Sequence, residues 1–489
     1  MTLPRYAHFR LAAFVTLLAA PAHAQLVTPK TVPVFQDEQF AIYPSSRPAL
    51  SLPIAFDDTL ADPFSNPAKA GRLKGFVLTV APYSHAISGN GGGGQTFPVG
   101  VLGRAGGWSG AFFGAMQQLD RGGSVWNRPT SDRTATNSYV TAVLSRQINA
   151  SLSVGAGVSH SDLRAVDGVD LLYAGSDRID QSGRTDDYRL GATFAGARGQ
   201  VLEFVGVTNR TSMRHDVHFT NRVWDNVGRV IVTTERQDVN LDQTNIWGLH
   251  SQYSMPVGRE GWRIGALATA NHLTHPKIPN YVLQNLPRDP GTTNAFNVGA
   301  GAVRTAEGTT FGLNVILEPM ASDTWADAAT PTTRTDFTVI PAGDKTVENH
   351  FVFRNGKVAM GLGHTWALRH PGEGVTADFG LTMNRIDYEL TQTNNITRSV
   401  RNQHESWVEK GPSLGMRYRN SEFEVAYSWR ATCGTSSCDL LPSFGGAGNT
   451  VVPTSATTSG TIIAAPASPL FIRSGTETSH HLIISVPIR

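Results

Sequence analysis

The stretch EFEVAYSWR, residues 422–430, separates polar from apolar side chains one residue at a time. Phe423, Val425, Tyr427 and Trp429 fall on one side, and Glu422, Glu424, Ser428 and Arg430 fall on the other. Successive side chains of a β-strand point to opposite faces. The alternation therefore predicts a strand with one face against an apolar medium and the other against water. A helix would mix the two sets.

Segments with the same period of two recur along most of the chain. We count sixteen, which predicts an all-β protein, a transmembrane antiparallel β-barrel of 14–16 strands. The predicted strands are Leu73–Tyr83, Gln95–Gly103, Gly107–Leu119, Asn137–Ile148, Ser151–Leu163, Asp187–Ala197, Val201–Thr211, Gln243–Met255, Gly261–Leu273, Asn294–Arg304, Thr309–Glu318, Thr346–Leu368, Gly374–Tyr388, Trp407–Arg419, Glu422–Arg430 and Ser479–Ile488. The sequence shows no competing helix signal.

The connections between these strands alternate in length. Short ones hold turn-forming residues, as in residues 104–106 and 258–260, and long polar ones lie between them, such as 212–242, 319–345, 389–406 and 431–478. Short turns at one end and long loops at the other are typical of outer-membrane barrels. A secreted β-sandwich is the rival, but its strands average about 5–6 residues, whereas a tilted membrane strand needs about 9–11.

The N-terminus predicts export. Residues 1–24 combine a basic start at Arg5 and Arg10, a short apolar run, and a small-x-small cleavage site that ends at Ala24. The apolar run is too short to span a bilayer, which takes about 20 residues. We therefore predict cleavage near Ala24 and location in the outer membrane of a bacterial cell.

Residues 25–70 differ from everything after them. Proline is frequent and the alternation of polar and apolar side chains is absent. This segment cannot supply a barrel strand, and the sequence leaves two interpretations: a disordered periplasmic leader, or a segment ordered by packing inside the lumen. Residues 71–489 form the predicted barrel.

Composition limits the classes of partner and site. With 41 basic and 39 acidic residues, the charge balance gives no reason to expect nucleic acid. Only two cysteines occur, Cys433 and Cys438, and in an oxidising compartment they predict a local disulfide within a loop. A zinc site is a poorer interpretation because it needs four ligands. No metal and no cofactor is predicted.

The tripeptide Asn66-Pro67-Ala68, just before the first strand at Leu73, resembles an element of the FadL-type outer-membrane transporters of fatty acids and aromatic hydrocarbons. The resemblance implies a small N-terminal plug formed by residues 25–70. It also implies capture of a hydrophobic ligand by outer loops and sideways exit through the wall, with Asn66, Pro67 and Ala68 in the plug beside the ligand path. Pro67 should hold Asn66 in an extended conformation. The family barrel has fourteen strands, and sixteen are counted here.

Candidate catalytic residues do not form a convincing set. His160 lies beside Ser159 and Ser161, but not at the spacing of an outer-membrane phospholipase, and it is more simply a solvated strand residue. His272 and His275 are spaced as metal ligands would be on a helix, yet they stand where a strand meets a loop. The protein is therefore predicted not to be an enzyme.

These observations predict passive uptake of small hydrophobic molecules across the outer membrane, with membrane lipid and a small hydrophobic ligand as the partners. Two alternatives stay open: a general porin for polar solutes, and a non-transporting barrel that serves as a docking or assembly platform. A barrel of about sixteen strands is wide enough for an aqueous channel. The identity of the ligand, the residues that line the lumen and the oligomeric state are not predicted.

Overall fold

Within the described residues, sixteen antiparallel strands close into one β-barrel, so the predicted fold class is confirmed. The computed structural model describes residues 43–87, 92–121, 134–165, 177–225, 230–258, 261–275, 278–280, 286–288, 291–328, 330–368, 370, 372–433 and 476–488. The predicted signal peptide, residues 1–24, and residues 25–42 of the predicted plug lie outside the described residues. Cys438 also lies outside them, so the disulfide with the buried Cys433 stays a prediction.

The elements follow one another without crossovers. They are α1 (Asp62–Ser65), a 3₁₀ helix (Pro67–Arg72), β1 (Phe76–Val80), β2 (Tyr83–Ile87), β3 (Gly92–Ala105), β4 (Trp108–Arg121), β5 (Thr134–Gln147), β6 (Leu152–Leu163), β7 (Arg178–Ala195), β8 (Val201–Asp225), β9 (Val230–Val257), β10 (Trp262–His275), β11 (Ile278–Asn280), β12 (Leu286–Arg288), β13 (Gly291–Ala306), β14 (Thr309–Asp327), β15 (Thr332–Thr333), β16 (Val339–Ile340), β17 (Lys345–Ala367), β18 (Gly374–Asn394), β19 (Ser399–Arg419), β20 (Glu424–Cys433) and β21 (Thr476–Ile488). Among the described residues, no helix is long and apolar enough to cross a membrane.

Each barrel strand pairs with its neighbours in sequence, and β21 closes the barrel against β1 and β2. The strands β1 and β2 are two parts of one barrel strand, because both pair with β3 and β21. The pairs β11–β12 and β15–β16 form two small separate sheets in the connections that follow β10 and β14.

The short connections after β3, β5, β7, β9, β13, β17 and β19 lie at one end of the barrel, as predicted, but the opposite end is not made of long loops alone, since β18 and β19 are joined there by only four residues. The tightest turns need left-handed backbone, which Gly106 supplies between β3 and β4 and Gly308 supplies between β13 and β14. The register pairs Phe76 with Ile488 at this same end. The first barrel strand therefore begins there, and the last one ends there.

Four details of the sequence prediction were wrong. The first strand is not continuous over Leu73–Tyr83: it is interrupted at residues 81–82, where Pro82 has no N–H to donate to the sheet. Most of residues 212–242 form strand, because β8 and β9 continue as a hairpin to the pair Asp225–Val230. Residues 319–327 and much of 389–406 likewise extend β14, β18 and β19. In addition, the N-terminal region contains two short helical elements that the sequence did not predict.

The two faces of the wall differ as the alternation predicts. Large apolar side chains such as Phe112, Leu190 and Trp247 are exposed on the outer face, whereas polar side chains such as Gln117 and Asn137 are buried on the inner face. Exposed apolar residues that form a belt around a closed barrel are typical of contact with lipid.

Residues Tyr43–Leu73, which we call the luminal segment, contact inward-facing side chains of strands on opposite parts of the wall. Asn66 contacts Thr193 of β7 and Glu203 of β8, while Ala49 contacts Ser413 of β19. Leu50, Leu52 and Ile54 pack with Leu267 of β10, Val303 of β13 and Ile316 of β14. The luminal segment therefore lies within the barrel.

Candidate functional site

The tripeptide Asn66-Pro67-Ala68 sits on the inner wall formed by β5 to β8. Asn66 is extended, with φ −129° and ψ 106°, as the following proline predicts. Its Oδ1 accepts a hydrogen bond from the Ala68 N–H at 3.1 Å and so caps the 3₁₀ helix. Its Nδ2 donates to Glu203 Oε2 at 3.1 Å, which fixes the start of the helix against β8.

Two glycines give this tripeptide its place on the wall. A Cβ added at Gly155 of β6 would lie 2.5 Å from the carbonyl carbon of Pro67, and one added at Gly191 of β7 would lie 2.1 Å from Oδ1 of Asn66. Such distances are far below van der Waals contact, so no larger residue fits without displacing the tripeptide. We call Gly155 and Gly191 the glycine seat.

A buried cluster of charges holds the same part of the luminal segment to β8. Nζ of Lys69 lies 3.2 Å from Oδ2 of Asp62 and 3.1 Å from Oε1 of Glu203, and the Lys69 and Glu203 side chains are almost inaccessible to solvent. Removing one member of a buried ion pair leaves a charge without compensation and costs about 3–5 kcal/mol. The cluster thus ties α1, the 3₁₀ helix and the wall into one unit.

Burial changes the ionisation of this cluster. It raises the pKa of Asp62 to about 7, although the Lys69 ammonium acts in the opposite direction. Burial also lowers the pKa of Lys69, but the carboxylates of Asp62 and Glu203 outweigh burial and raise the pKa overall. Lys69 therefore stays cationic, and Asp62 titrates near neutral pH.

Aromatic and cationic contacts extend the attachment along α1. Arg189 of β7 donates from Nη1 to the carbonyl oxygen of Phe64 at 2.8 Å and from Nε to Asp187 at 2.7 Å. The ring of Phe64 stacks on Tyr43 with 4.4 Å between centroids and meets Phe113 of β4 edge-on at 5.5 Å. Ring pairs at such distances stabilise by about 0.5–1.5 kcal/mol beyond their burial.

The opposite wall holds the other half of the luminal segment. The Arg47 guanidinium binds the Asp378 carboxylate of β18, and its Nη1 donates to Thr310 Oγ1 of β14 at 2.9 Å. The backbone N–H of Ile54 donates to Asn314 Oδ1 at 2.8 Å. The segment is thus anchored on both sides of the lumen.

An apolar patch lines the inner wall in the outer part of the barrel, far from the short turns. Phe351, Phe353, Tyr388 and Leu390 are buried there, with ring centroids 5.6–6.2 Å apart, and we call these four residues the inner aromatic cluster. On the same strands the outward-facing Arg354 and Glu389 are exposed and form an ion pair at 2.7 Å.

A groove of about 940 Å³ lies on the outer face of β5 to β9, behind the tripeptide. Its lining residues are Ala142, Val143, Leu144, Ala156, Gly157, Val158, Tyr188, Arg189, Leu190, Gly206, Val207, Thr208, Trp247 and Gly248. Gly157 and Arg189 also contact the luminal segment from the inside, so the wall between the groove and the tripeptide is thin. We call this feature the outer groove.

The structure does not bring the predicted catalytic candidates together. His160 faces outward and contacts Asp186 at 2.6 Å, whereas Ser159 and Ser161 belong to the inner face of the same strand. His272 contacts Asn294 at 2.7 Å. Over the described ranges, no group of three or more His, Cys, Asp or Glu side chains could hold a metal ion.

The sequence analysis placed Asn66, Pro67 and Ala68 beside the lumen but missed their partners. Lys69, Glu203 and Arg189 carried no local signal, because their contacts join positions far apart in the chain. The glycine seat did leave a local signal: from Ser153 to Ser161, the inner face of β6 carries only small residues. They are Ser153, Gly155, Gly157, Ser159 and Ser161.

No family model matches the chain, and no curated protein matches it either. Several solved structures are similar to this chain, with TM-scores below 0.5. They include a FadL homologue from Pseudomonas aeruginosa, with a TM-score of 0.45, 11% identity and coverage of 89% of this chain and 96% of that chain. The CymD monoaromatic hydrocarbon channel has a TM-score of 0.35, 10% identity and coverage of 92% and 99%. The ferric-catecholate import receptor Fiu from E. coli K12 has a TM-score of 0.39, 8% identity and coverage of 84% and 81%.

Similarity at this level does not assign the chain to a family. The barrel fold stands on the closed pairing of the strands themselves, and it is the fold of bacterial outer-membrane proteins.

Proposed function

We propose that this protein takes up small hydrophobic molecules passively across the outer membrane, with the luminal segment as a plug. The observation that carries the proposal is the attachment of this segment to both sides of the lumen, through Glu203 on one wall and Asp378 on the other. A chain segment fixed across the lumen obstructs an aqueous path. This obstruction argues against an open general porin.

The inner aromatic cluster supports a hydrophobic ligand. The interior of an outer-membrane barrel is ordinarily polar, since it faces water. The rings of Phe351, Phe353 and Tyr388 pack against one another at the outer end of the lumen, and an apolar molecule that enters between them would leave water. We propose that ligands are captured there before they reach the luminal segment.

The glycine seat supports a route past the plug. Because the wall behind Asn66-Pro67-Ala68 is thin, a shift of the tripeptide away from Gly155 and Gly191 would open space beside the wall. We propose that the ligand passes through this space and leaves sideways into the membrane. Asn66, Pro67 and Ala68 would then border the ligand path.

The test compares two solutes in intact cells that produce the protein. N-phenyl-1-naphthylamine reports entry of a hydrophobic molecule by its fluorescence, and nitrocefin hydrolysis by a periplasmic β-lactamase reports entry of a polar one. We expect faster naphthylamine entry and unchanged nitrocefin hydrolysis relative to cells without the protein. The opposite pattern would favour the porin, and no change in either would favour the docking platform.

A pair of variants links entry to the inner aromatic cluster. Phe353→Ser replaces a buried inner ring, and the matched change Val352→Ser alters the adjacent residue on the outer face of β17. We expect Phe353→Ser to slow naphthylamine entry and Val352→Ser to leave it unchanged. Equal rates in the two variants would exclude the cluster from the ligand path.

A further inference from the structure

The outer groove lies at a sharp boundary between apolar and charged residues on the outer face. The register places Val158, Tyr188, Thr208 and Trp247 side by side in one row of four neighbouring strands. The next row toward the long loops contains His160, Asp186, Arg210 and Asn245. One end of the groove therefore meets polar, charged side chains within one row, about 7 Å along the strands.

The groove itself is apolar and wide. Leu190 is 71% exposed and Trp247 is 62% exposed, and these large side chains rise above a floor that includes Ala156 and Gly206. Five strands spaced about 4.8 Å apart make the groove about 19 Å across. Its volume of about 940 Å³ lies within the range of known small-molecule binding pockets.

The charged row offers cations to an anionic group. Arg210 is exposed, and its guanidinium lies 2.9 Å from the neutral Gln243 amide, which can accept its hydrogen bond. Arg184, one row further out, is 62% exposed and forms a long ion pair with Asp186 at 3.9 Å. The carboxylates in the same patch, Asp162 and Asp186, both lie near His160, at 3.5 and 2.6 Å. Both guanidinium groups are thus exposed on the outer face, where an outside ligand can reach them.

We propose that the outer groove binds lipid A, the phosphorylated and acylated lipid of the outer leaflet, with acyl chains in the groove and a phosphate at Arg210 and Arg184. Three observations select this occupant: the site faces lipid, its charged end points toward the long external loops, and arginine binds phosphate through paired N–H donors. A groove this wide suits a lipid with several acyl chains. The proposal does not depend on the transport function.

Gly206 allows the groove to be filled without disturbing the wall. A Cβ at Gly206 would meet no other atom within 4 Å, so a side chain there enters the groove. Gly114 of β4 is the matched control, because it lies between the outward-facing Phe112 and Met116 and its nearest neighbour would be 3.9 Å away. Gly206→Phe and Gly114→Phe therefore add the same ring to the same face, inside and outside the groove.

Native mass spectrometry of the full mature protein in detergent, titrated with lipid A or with chemically dephosphorylated lipid A, tests the proposal. We expect a one-to-one complex with lipid A, an affinity at least about tenfold lower in Gly206→Phe, and an affinity within about twofold of wild type in Gly114→Phe. Arg210→Gln should weaken binding of lipid A but not of the dephosphorylated lipid. Heat-dependent electrophoretic mobility confirms folding, and Arg210→Gln keeps the test valid if Gly206→Phe fails to fold.

Equal affinities of Gly206→Phe and Gly114→Phe would overturn the proposal, as would equal binding of the two lipids by the wild type. A third result would also overturn it: Gly206→Phe blocks naphthylamine entry but leaves lipid A binding intact. The groove would then be an exit for the transported molecule. If lipid A binds as expected and no naphthylamine enters the cells, the transport proposal alone fails.

Discussion

The wall formed by β6, β7 and β8 leaves very different amounts of room on its two faces. On the inner face, a Cβ at Gly155 would lie 2.5 Å from the carbonyl carbon of Pro67. On the outer face, a Cβ at Gly206 would meet nothing within 4 Å. Glycine on the inside thus admits a segment of the protein's own chain, whereas glycine on the outside leaves a groove open toward lipid. The same wall is thus filled on its inner face and open on its outer face.

Charge divides the faces in the same way. The inner face of β8 carries Glu203 in a buried cluster with Lys69, while the outer face of the same strand carries the exposed pair of Arg214 and Asp216 at 2.8 Å. Removing one partner of a buried pair lowers stability strongly, whereas an exposed pair contributes only about 0–1 kcal/mol to stability. This contrast gives the largest predicted effect.

Lys69→Met should destabilise the docked luminal segment by about 3–5 kcal/mol, because Glu203 and Asp62 lose their shared cation. The matched variant Arg214→Met, on the outer face, should cost no more than about 1 kcal/mol. Denaturant unfolding in detergent measures both. Adding Glu203→Gln to Lys69→Met should restore part of the loss, and a loss equal to that of Arg214→Met would contradict the inner cluster.

Gly155→Ala should unseat the tripeptide at a cost of about 1–3 kcal/mol, because the new methyl group meets backbone atoms that cannot rotate away. Limited trypsin digestion measures the effect, since Lys69 is buried in the docked segment. We expect faster cleavage after Lys69 in the variant than in the wild type. Unchanged cleavage would mean that the seat is looser than the distances indicate.

Asp62→Asn should remove a pH dependence of the docked segment. The raised pKa of Asp62 favours its protonated form in the folded protein, so the contribution of Asp62 to stability is largest near pH 4 and declines as the pH rises to about 7. The Tm of the wild type minus the Tm of Asp62→Asn should fall as the pH rises from about 4 to 7 and be constant above about pH 8. A rise in this difference with pH would contradict the raised pKa of Asp62.

Gly206→Ala should have the smallest effect, within about 0.5 kcal/mol, because its methyl group enters open space. It is the same substitution as Gly155→Ala on the opposite face of the same wall. Unfolding midpoints of the two variants, measured side by side, compare the faces directly. A cost at Gly206 as large as that at Gly155 would show that the groove is closed.

Much of the barrel could be predicted from the sequence because one rule governs it. The alternation in residues such as 422–430 gave the strands, and turn-forming residues gave the short connections. The rule fails where both faces meet water: β8 and β9 continue beyond the apolar belt as polar strands, which look like loop. It also fails at residues 81–82, where one proline interrupts a strand.

The site was less predictable because its contacts join distant positions. The tripeptide Asn66-Pro67-Ala68 could be found from its position before the first strand, and Pro67 explained the extended Asn66. The hydrogen bond from Asn66 to Glu203 joins residues 137 positions apart, and no local pattern reports it. The run of small residues on the inner face of β6, from Ser153 to Ser161, was the one local signal of the glycine seat.

Planar-bilayer conductance tests the central claim, that the luminal segment closes the barrel, most directly. The wild-type protein should give no steady conductance, and the double variant Lys69→Met with Gly155→Ala should give steady open channels as the segment leaves its seat. A wild-type protein that already conducts steadily, at the level of the double variant, would contradict the account.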